Sequence, residues 1–237
     1  MRRLTEGWFE FGGVRCESMG VRMMDIPKRP LPAKQGRMLE IDGRSGYLWQ
    51  RMRRAYKPIT ISVECSTMDG FSADVLGGWL AEGGLLRFSD EQDRAYRARV
   101  TDEFLRSSMF FGFDRQVFTI PFVCQPFRYI YPAAEPETLT GAKIISNPGT
   151  AYSEPQITIR GSGDMVVNVG EYMIGVTGAG VIVDSETMDC YELDGVTLAD
   201  GRRVTMDDFP VIPPGGAVIS WSGGVTSVTI DGRWRSI

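Results

Sequence analysis

The chain has 237 residues, of which 43% are hydrophobic and 24% charged, proportions that are typical of a soluble globular protein and exclude a disordered one. It contains no histidine, so Ser-His-Asp and Cys-His catalysis and every metal site that needs an imidazole are excluded. The net charge of −4 is divided unevenly: residues 1–133 carry 20 Lys and Arg against 16 Asp and Glu, whereas residues 134–237 carry 6 against 14.

This asymmetry predicts two domains with different surfaces. The boundary is predicted at Tyr131–Thr138, where two prolines and several small residues interrupt any regular pattern. We therefore expect one domain over residues 1–133 and a second over residues 134–237.

The first half is predicted to consist of strands and one helix. Strands are expected where apolar and polar residues alternate or where short apolar runs end at glycines, and an extended loop is expected where prolines cluster. In chain order the predicted elements are a strand at Trp8–Phe11, a loop at Lys28–Pro32, a hairpin of Arg37–Ile41 with Gly46–Trp49, a strand at Pro58–Cys65, a helix between Ser72 and Gly83, and a strand at Phe118–Cys124. Pro121 predicts that the last strand lies at a sheet edge or contains a bulge.

The single helix has recognisable start and stop signals. Ser72 is a suitable N-cap, and a glycine pair follows the helical pattern. Val75, Leu76, Trp79 and Leu80 are predicted to lie on its buried face.

The second half shows no helical pattern of useful length. Alternating residues predict strands at Gln156–Arg160, Val181–Asp184, Ala217–Trp221, Val225–Val228 and Val228–Ile230. Gly161–Asp164 and Ser222–Gly224 predict hairpin turns. Short strands with turns about every 8 to 12 residues are typical of a β-sandwich.

The chemistry-bearing residues do not form a recognisable catalytic or metal motif. The carboxylates of Asp184 and Glu186 are indistinguishable in sequence from solvated turn residues, and with Asp189 they lack the spacing of an EF-hand. Gly161–Asp164 lacks the further glycine of a phosphate-binding loop and precedes no helix. We therefore expect a protein that is not an enzyme and that holds no cofactor or metal.

Cysteine spacing and apolar runs limit the redox and membrane chemistry. The four cysteines lie at least 49 residues apart and form no CxxC motif, which leaves buried thiols and two disulfides both open. No run of about 18 apolar residues occurs, so no membrane-spanning helix is expected. The basic start is followed by Glu6 and Glu10 where a signal peptide has apolar residues, so no signal peptide is expected.

Two groups of residues are compatible with ligand binding. Arg51–Arg54, with Trp49 and Tyr56, combine basic and aromatic side chains as nucleic-acid surfaces do. The first half carries only a small positive excess with acids interspersed, so a solvated or subunit-facing surface is favoured and no specific nucleic-acid binding is expected.

The second group is aromatic. Trp221, Tyr172 and Tyr191 can either stack on sugar rings or pack in the core of a sandwich. If these residues stack on sugar rings, the protein is a carbohydrate-binding adhesin that acts through its second domain. This is the alternative function.

A set of short segments runs in a characteristic order along nearly the whole chain. In the first half the segments are Gly36–Leu48, Trp79–Leu80, Leu85–Asp90, Tyr96–Val100 and Phe122–Phe127, and in the second half Asn147–Thr150, Ser153–Ile157, Gly161–Asp164, Val183–Ser185, Phe209–Pro210 and Pro214–Gly216. In this order they resemble the distal tail proteins of long-tailed bacteriophages with non-contractile tails.

The resemblance implies a mainly β fold and a structural role in the virion. It implies a tail-tube-like β-sandwich with one helix and an extended belt hairpin, followed by a galectin-like or carbohydrate-module-like β-sandwich. Six copies would close a ring that joins the tail-tube protein above to the tail-tip protein below, with a receptor-binding protein or a cell-surface glycan as a further partner. The protein would be made in the host cytoplasm and reside in the tail tip.

The belt hairpin supplies the candidate subunit contacts. Its apolar and basic residues suit a clasp better than an isolated hairpin, which is only marginally stable alone. The predicted contacts are Arg37, Met38, Leu39, Tyr47, Leu48 and Trp49. The alternative, in which these side chains pack within their own domain, remains open at this point.

Overall fold

The structure is a computed structural model, which describes residues 7–101, 106–107 and 116–237, apart from the side chains at positions 51, 53, 54, 106 and 107. It divides into two compact units, one that extends to Arg128 and includes Ile237, and one formed by Tyr129–Ser236. The division falls inside a long strand, Val117–Ile130, and thus before the proline-rich segment where the sequence analysis placed the boundary.

The first unit contains most of the strands of one curled sheet, a separate hairpin and one helix. Its elements are β1 (Phe9–Phe11), β2 (Val14–Arg15), a 3-10 turn (Cys16–Met19), β3 (Val21–Met23), β4 (Lys34–Glu40), β5 (Tyr47–Tyr56), β6 (Ile59–Thr67), α1 (Ala73–Leu80), β7 (Gly84–Phe88), β8 (Glu91–Val100), β9 (Arg106–Ser107) and β10 (Val117–Ile130). The strand order in the curled sheet is β2–β1–β7–β8–β10–β6–β3, and β9 also pairs with β10.

Aromatic packing shows how strongly this sheet curls. Two strands, β7 and β8, separate β1 from β10 in the sheet, which in a flat sheet would place β1 and β10 about 14 Å apart. The rings of Phe11 and Phe122, one from each strand, nevertheless have centroids 5.1 Å apart. The sheet therefore wraps around one apolar core, to which Phe9 and Trp79 also contribute stacked rings.

Helix α1 closes this core. The Ser72 hydroxyl accepts a hydrogen bond from the Val75 amide at 3.5 Å, as the cap prediction requires. Leu76 and Leu80 are buried, and the Trp79 indole donates to the Phe11 carbonyl at 2.9 Å. The prediction that Val75 belongs to the buried face is wrong, because its side chain is 51% exposed.

Strand β10 is an interior strand, so the edge prediction from Pro121 is wrong. It lies between β8 and β6, and Pro121 stands opposite Ser62 in an unbroken register with β6. The irregularity occurs later, because the buried positions change from even to odd numbers between Cys124 and Phe127. One additional residue in a strand reverses the face that it buries.

The second unit is built on three long antiparallel strands. Its elements are β11 (Glu137–Leu139), β12 (Lys143–Ile145), β13 (Gln156–Val169), β14 (Tyr172–Asp184), β15 (Asp189–Glu192), β16 (Val204–Met206), β17 (Ala217–Asp231) and β18 (Arg235–Ser236). The sheet order is β11–β17–β13–β14–β15, with β12 also pairing with β17 and β16 with β14.

A crease divides each long strand between two layers. The ladder between β13 and β14 shifts between Ile159 and Ser162, and the ladder between β13 and β17 shifts between Arg160 and Met165. β11 and β15 pair on one side of the crease, whereas β12 and β16 pair on the other. Apolar residues from both sides form a single core, which confirms the predicted β-sandwich.

Glycines occupy the crease. The predictions of hairpin turns at Gly161–Asp164 and at Ser222–Gly224 are wrong. Gly161 and Gly163 lie within the continuous strand β13, and Gly223 and Gly224 lie within β17. A Cβ atom added at Gly224 would collide with the carbonyl oxygen of Ser162. The glycines therefore permit the close backbone approach of a folded sheet and do not reverse the chain.

The crease makes a specific prediction about Gly224. We expect Gly224→Ala to lower the free energy of unfolding by about 3 kcal/mol, because the new methyl group must displace backbone on the facing strand. Urea unfolding followed by circular dichroism measures this change. Gly201→Ala is the matched control, since its added Cβ meets no atom within 4 Å. Equal stability of the two variants would contradict the tight approach.

Candidate subunit interface

The hairpin formed by β4 and β5 is a separate two-stranded sheet. We call residues Lys34–Tyr56 the arm. In the described part of the chain, neither strand pairs with any strand of the two larger sheets. No arm residue with a described side chain is buried. The arm is thus held by its own hydrogen-bond ladder, without a core beneath it.

Cross-strand pairing sorts the arm's side chains onto two faces, because successive residues of a strand point to opposite sides. Met38 pairs with Trp49, and Tyr47 lies on the same face two residues away. Leu39 pairs with Leu48 on the other face. Both faces therefore carry apolar side chains, with Glu40 on the first face and Arg37 and Gln50 on the second. Met38 is 60% and Tyr47 57% exposed.

The arm is fixed firmly where it leaves the first unit. The Tyr56 ring meets the Phe127 ring edge-on at 5.4 Å, and the Gln35 amide donates to the Tyr56 carbonyl at 3.1 Å. The Lys57 amide donates to the Ala33 carbonyl at 2.8 Å, which closes the root of the hairpin. The Tyr56 contact thus attaches the root of the arm to strand β10, and the two hydrogen bonds close the root of the hairpin itself.

Arg29 adds a second anchor just before the arm. Its guanidinium forms ion pairs with Asp90 and with Glu91, the latter at 3.1 Å, and lies over the Phe88 ring at 5.0 Å. Arg128 binds the other oxygen of Glu91 at 2.6 Å. The loop that leads to the arm is therefore tied to the turn between β7 and β8.

Charge separates the arm from the rest of its unit. Residues 34–56 carry six Lys and Arg but only two acidic residues, whereas the other residues up to 128 carry equal numbers of each. The whole positive excess of the first unit is thus in the arm. A basic arm with apolar faces fits a partner surface that offers carboxylates beside apolar side chains.

The structure brings the six predicted contact residues together on the arm. Met38, Tyr47, Leu48 and Trp49 are large exposed hydrophobic residues, Arg37 is also exposed, and Leu39 is half-buried. Their role in subunit contact stays a prediction, and none of the six side chains is fully buried within this chain.

The sequence analysis missed three exposed apolar residues in the loop before the arm. Met24, Ile26 and Leu31 are 52%, 44% and 79% exposed. Only Leu31 lies within Lys28–Pro32, the segment that the sequence analysis predicted to be an extended loop.

The three candidate sugar-binding aromatic residues do not share one platform. Trp221 and Tyr172 pack against the core of the second unit. Tyr191 lies in β15, opposite Ile182, on the other side of the crease from Trp221. The hydroxyl groups of Tyr191 and Thr187 are 3.5 Å apart. Glycan contact by these residues stays a prediction.

The carboxylates singled out in the sequence serve a structural ion pair. Arg233 binds both oxygens of Asp184 at 2.8 Å and one oxygen of Glu186 at 2.9 Å. Burial alone raises the pKa of Asp184, but hydrogen bonds from Arg233 and Gln156 outweigh it and hold the pKa below its ordinary value. Asp184 is therefore an ionised group that links β14 to the end of the chain.

The structure also bears on metal binding, membrane-spanning helices and the state of the cysteines. Among the described residues, no three His, Cys, Asp or Glu side chains come together to hold a metal ion, and no helix is long and apolar enough to cross a membrane. All four cysteines are free thiols. Burial raises the pKa of Cys16 to about 11 and of Cys124 to about 12, so both remain protonated at neutral pH.

Comparison with known proteins identifies the fold. By sequence, the chain matches no protein-family model and no curated protein. By structure, it matches the Dit protein of phage SPP1, described as a paradigm of the hub adsorption apparatus of phages that infect Gram-positive bacteria, with a TM-score of 0.62 and 15% identity over 95% of this chain and 98% of that one. It also matches a chain of the phage P2 baseplate in its activated conformation with Ca, with a TM-score of 0.53 and 9% identity over 94% of this chain and 97% of that one.

These matches confirm the resemblance at the level of the fold. The likeness extends over both units and over nearly the full length of each compared chain. The chain therefore has the mainly β, two-unit fold of phage tail hub and baseplate proteins.

The Asp184–Arg233 pair predicts a pH-dependent stability. We expect Arg233→Met to lower the free energy of unfolding at pH 7 by about 3 kcal/mol, because it leaves a buried carboxylate without its cation. The depressed pKa means that the pair stabilises the fold above about pH 4 and loses this effect as the pH falls further. The difference from the unchanged protein should therefore shrink below about pH 4.

Urea unfolding at a series of pH values measures both effects. Arg202→Met is the control, because Arg202 is exposed and contributes only its backbone amide to a nearby carboxylate. A stability difference that is the same at pH 7 and at pH 3 would contradict the assigned role of Asp184.

Proposed function

We propose that this protein is a structural distal tail hub, a non-enzymatic component of a phage tail tip. Copies of the chain associate into a ring, of six subunits as the resemblance implies, that joins the tail-tube protein above to the tail-tip protein below. The fold supports this proposal, since the hub protein of phage SPP1 and a baseplate chain of phage P2 share it over their whole lengths. The place of action is the virion tail tip.

The arm is the observation that carries the proposal. It exposes apolar side chains on both faces and has no core of its own, which is the form expected of a clasp that completes its packing on a second molecule. A contact between an arm and a different surface of the next copy is heterologous, and such contacts close into a ring when the rotation between copies is an integral fraction of a turn.

The second unit provides the surface for further partners under this proposal. It carries 6 basic against 14 acidic residues, and its exposed apolar residues include Ile144 and Val218, which stand opposite each other in β12 and β17. We propose that this unit meets a receptor-binding protein or a cell-surface glycan. Under this proposal, the exposed surface of the second unit makes the attachment to the host.

The oligomeric state tests the proposal. Light scattering and native mass spectrometry of the purified full chain should show a species near six times 26.3 kDa, and electron microscopy should show rings with a central opening. A mass of one chain at every concentration, and again after mixing with the tail-tube and tail-tip proteins of its own phage, would contradict the proposal.

Arm variants connect the assembly to the arm. We expect Met38→Ser combined with Trp49→Ser to weaken association at least about thirtyfold, which is the effect of losing an interface anchor worth about 2 kcal/mol. The unfolding free energy of the monomer should change by no more than about 0.5 kcal/mol, because both residues are exposed. Val75→Ser, which changes an exposed residue on α1, is the control and should leave association unchanged.

A further inference from the structure

The first unit contains a cavity beside strand β8. Its volume is about 350 Å³, near the lower end of the range that is typical of small-molecule sites. Ile59 and Tyr96 line it from the apolar core of the unit, and Pro30 and Pro126 line it as well. The cavity therefore offers apolar surface to a ligand that is no larger than a few linked rings.

Tyr96 places a buried hydroxyl at this cavity. Its side chain is only 4% exposed, and its ring belongs to the apolar core. Within the described part of the chain, no group forms a hydrogen bond with the hydroxyl. Burial raises the pKa of Tyr96 to about 12, so the hydroxyl remains a donor at neutral pH. A buried hydroxyl without a protein partner requires one from outside the chain, either a ligand or an ordered water.

Charged groups surround the hydroxyl on the polar side of the cavity. Arg29, Glu91 and Arg128 all line the cavity, and their charges act on the Tyr96 hydroxyl. The hydroxyl is therefore directed toward these groups and into the cavity, whereas its ring faces the core.

The charged groups are fixed in place by one another. Glu91 binds Arg29 at 3.1 Å and Arg128 at 2.6 Å through its two oxygens, and Arg29 also pairs with Asp90. Arg128 further donates to the main-chain oxygen of Ile237 at 2.5 Å. Two carboxylates thus match the two guanidinium charges, and the cavity has no surplus positive charge with which to hold a phosphate or carboxylate ligand.

This arrangement selects the chemistry of the ligand. Guanidinium and Tyr96 hydroxyl groups donate, carboxylate oxygens accept, and the two kinds of group lie side by side. A neutral ligand with hydroxyl groups on neighbouring carbons matches both, because each hydroxyl donates and accepts. A peptide strand suits the cavity less well, since its backbone groups point to alternate sides and bring fewer of them to one small cluster.

We infer that this cavity binds a neutral sugar, one pyranose residue held by the Tyr96 hydroxyl and the Glu91 carboxylate, with its C–H face against the apolar lining. The site is distinct from the aromatic residues of the second unit that were considered for glycan contact. The inference goes beyond the proposed function and does not depend on it, because the cavity is complete within one unit of one chain.

Saturation-transfer NMR on the full-length chain tests this inference. The probes are the methyl glycosides of glucose, galactose, rhamnose and N-acetylglucosamine, each titrated to 50 mM. We expect at least one of them to bind with a dissociation constant on the order of 1 mM, as is typical of a ligand with so few atoms. Glucose 6-phosphate should not bind more tightly than methyl glucoside, because the cavity lacks surplus positive charge.

Two tyrosine variants assign the binding to the cavity. We expect Tyr96→Phe to weaken binding about tenfold, because it removes one donor and keeps the ring in the core. Tyr47→Phe is the matched control, since Tyr47 is exposed on the arm and does not line the cavity, and it should leave binding unchanged. Thermal unfolding should show that both variants retain the stability of the unchanged protein to within about 2 °C.

Three results would overturn the inference. Binding by none of the probes would leave the Tyr96 hydroxyl to an ordered water. Binding that Tyr96→Phe does not weaken would place the sugar elsewhere on the chain. Loss of association with other tail proteins in Tyr96→Phe, without sugar binding by the unchanged protein, would assign the cavity to a protein segment.

A comparison of free and linked sugars identifies the source of the ligand. The methyl glycoside that binds best is titrated beside a tetrasaccharide of the same sugar. Tighter binding of the tetrasaccharide supports the end residue of a polysaccharide as the ligand, whereas equal binding supports a free sugar. Both results support the sugar site, and neither requires the ring to form.

Discussion

The arm is held together by a single ladder of backbone hydrogen bonds between β4 and β5, and its side chains lack the apolar surroundings that stabilise every other long strand of the chain. Two-stranded hairpins without a packed face are marginal in water. The contacts that hold its root are the edge-on packing of Tyr56 on Phe127 and the hydrogen bond from the Lys57 amide to the Ala33 carbonyl.

The two units bury the apolar side chains of their β-sheets in different ways. The first unit curls its sheet around a core that is rich in aromatic rings and closes it with α1. The second unit folds three long strands at a glycine-rich crease, so that one sheet supplies both layers of a sandwich. In the first unit β3 pairs with β6 only from Cys65 to Thr67.

Several ionisable groups among the described residues form structural ion pairs. Arg233 neutralises Asp184 and Glu186, and Arg29 and Arg128 share Glu91. A carboxylate held by two guanidinium hydrogen bonds is a poor general acid, since its pKa is depressed and its oxygens are occupied.

Local sequence patterns determined the elements whose stability is itself local. The Ser72 cap, the strand at residues 59–67 with its strict alternation, and the hairpin around Asp42 and Gly43 all follow from hydrogen bonds and side-chain period within a few residues. The apolar and basic composition of the arm was also evident in the sequence, because exposed clasp residues differ from those of an ordinary surface loop.

Only the tertiary structure decided the features that depend on distant backbone. The glycine-containing segments Gly161–Gly163 and Ser222–Gly224 indicate a turn or a crease equally well. The choice depends on the facing strands, which approach closely enough to exclude a Cβ atom. Sequence rules place a strand that contains proline at the edge of a sheet. The strand of Pro121 is instead an interior strand, because β6 and β8, which are distant from it in the chain, lie on either side of it. Likewise, no local pattern records that β3 pairs with β6 only from Cys65 to Thr67.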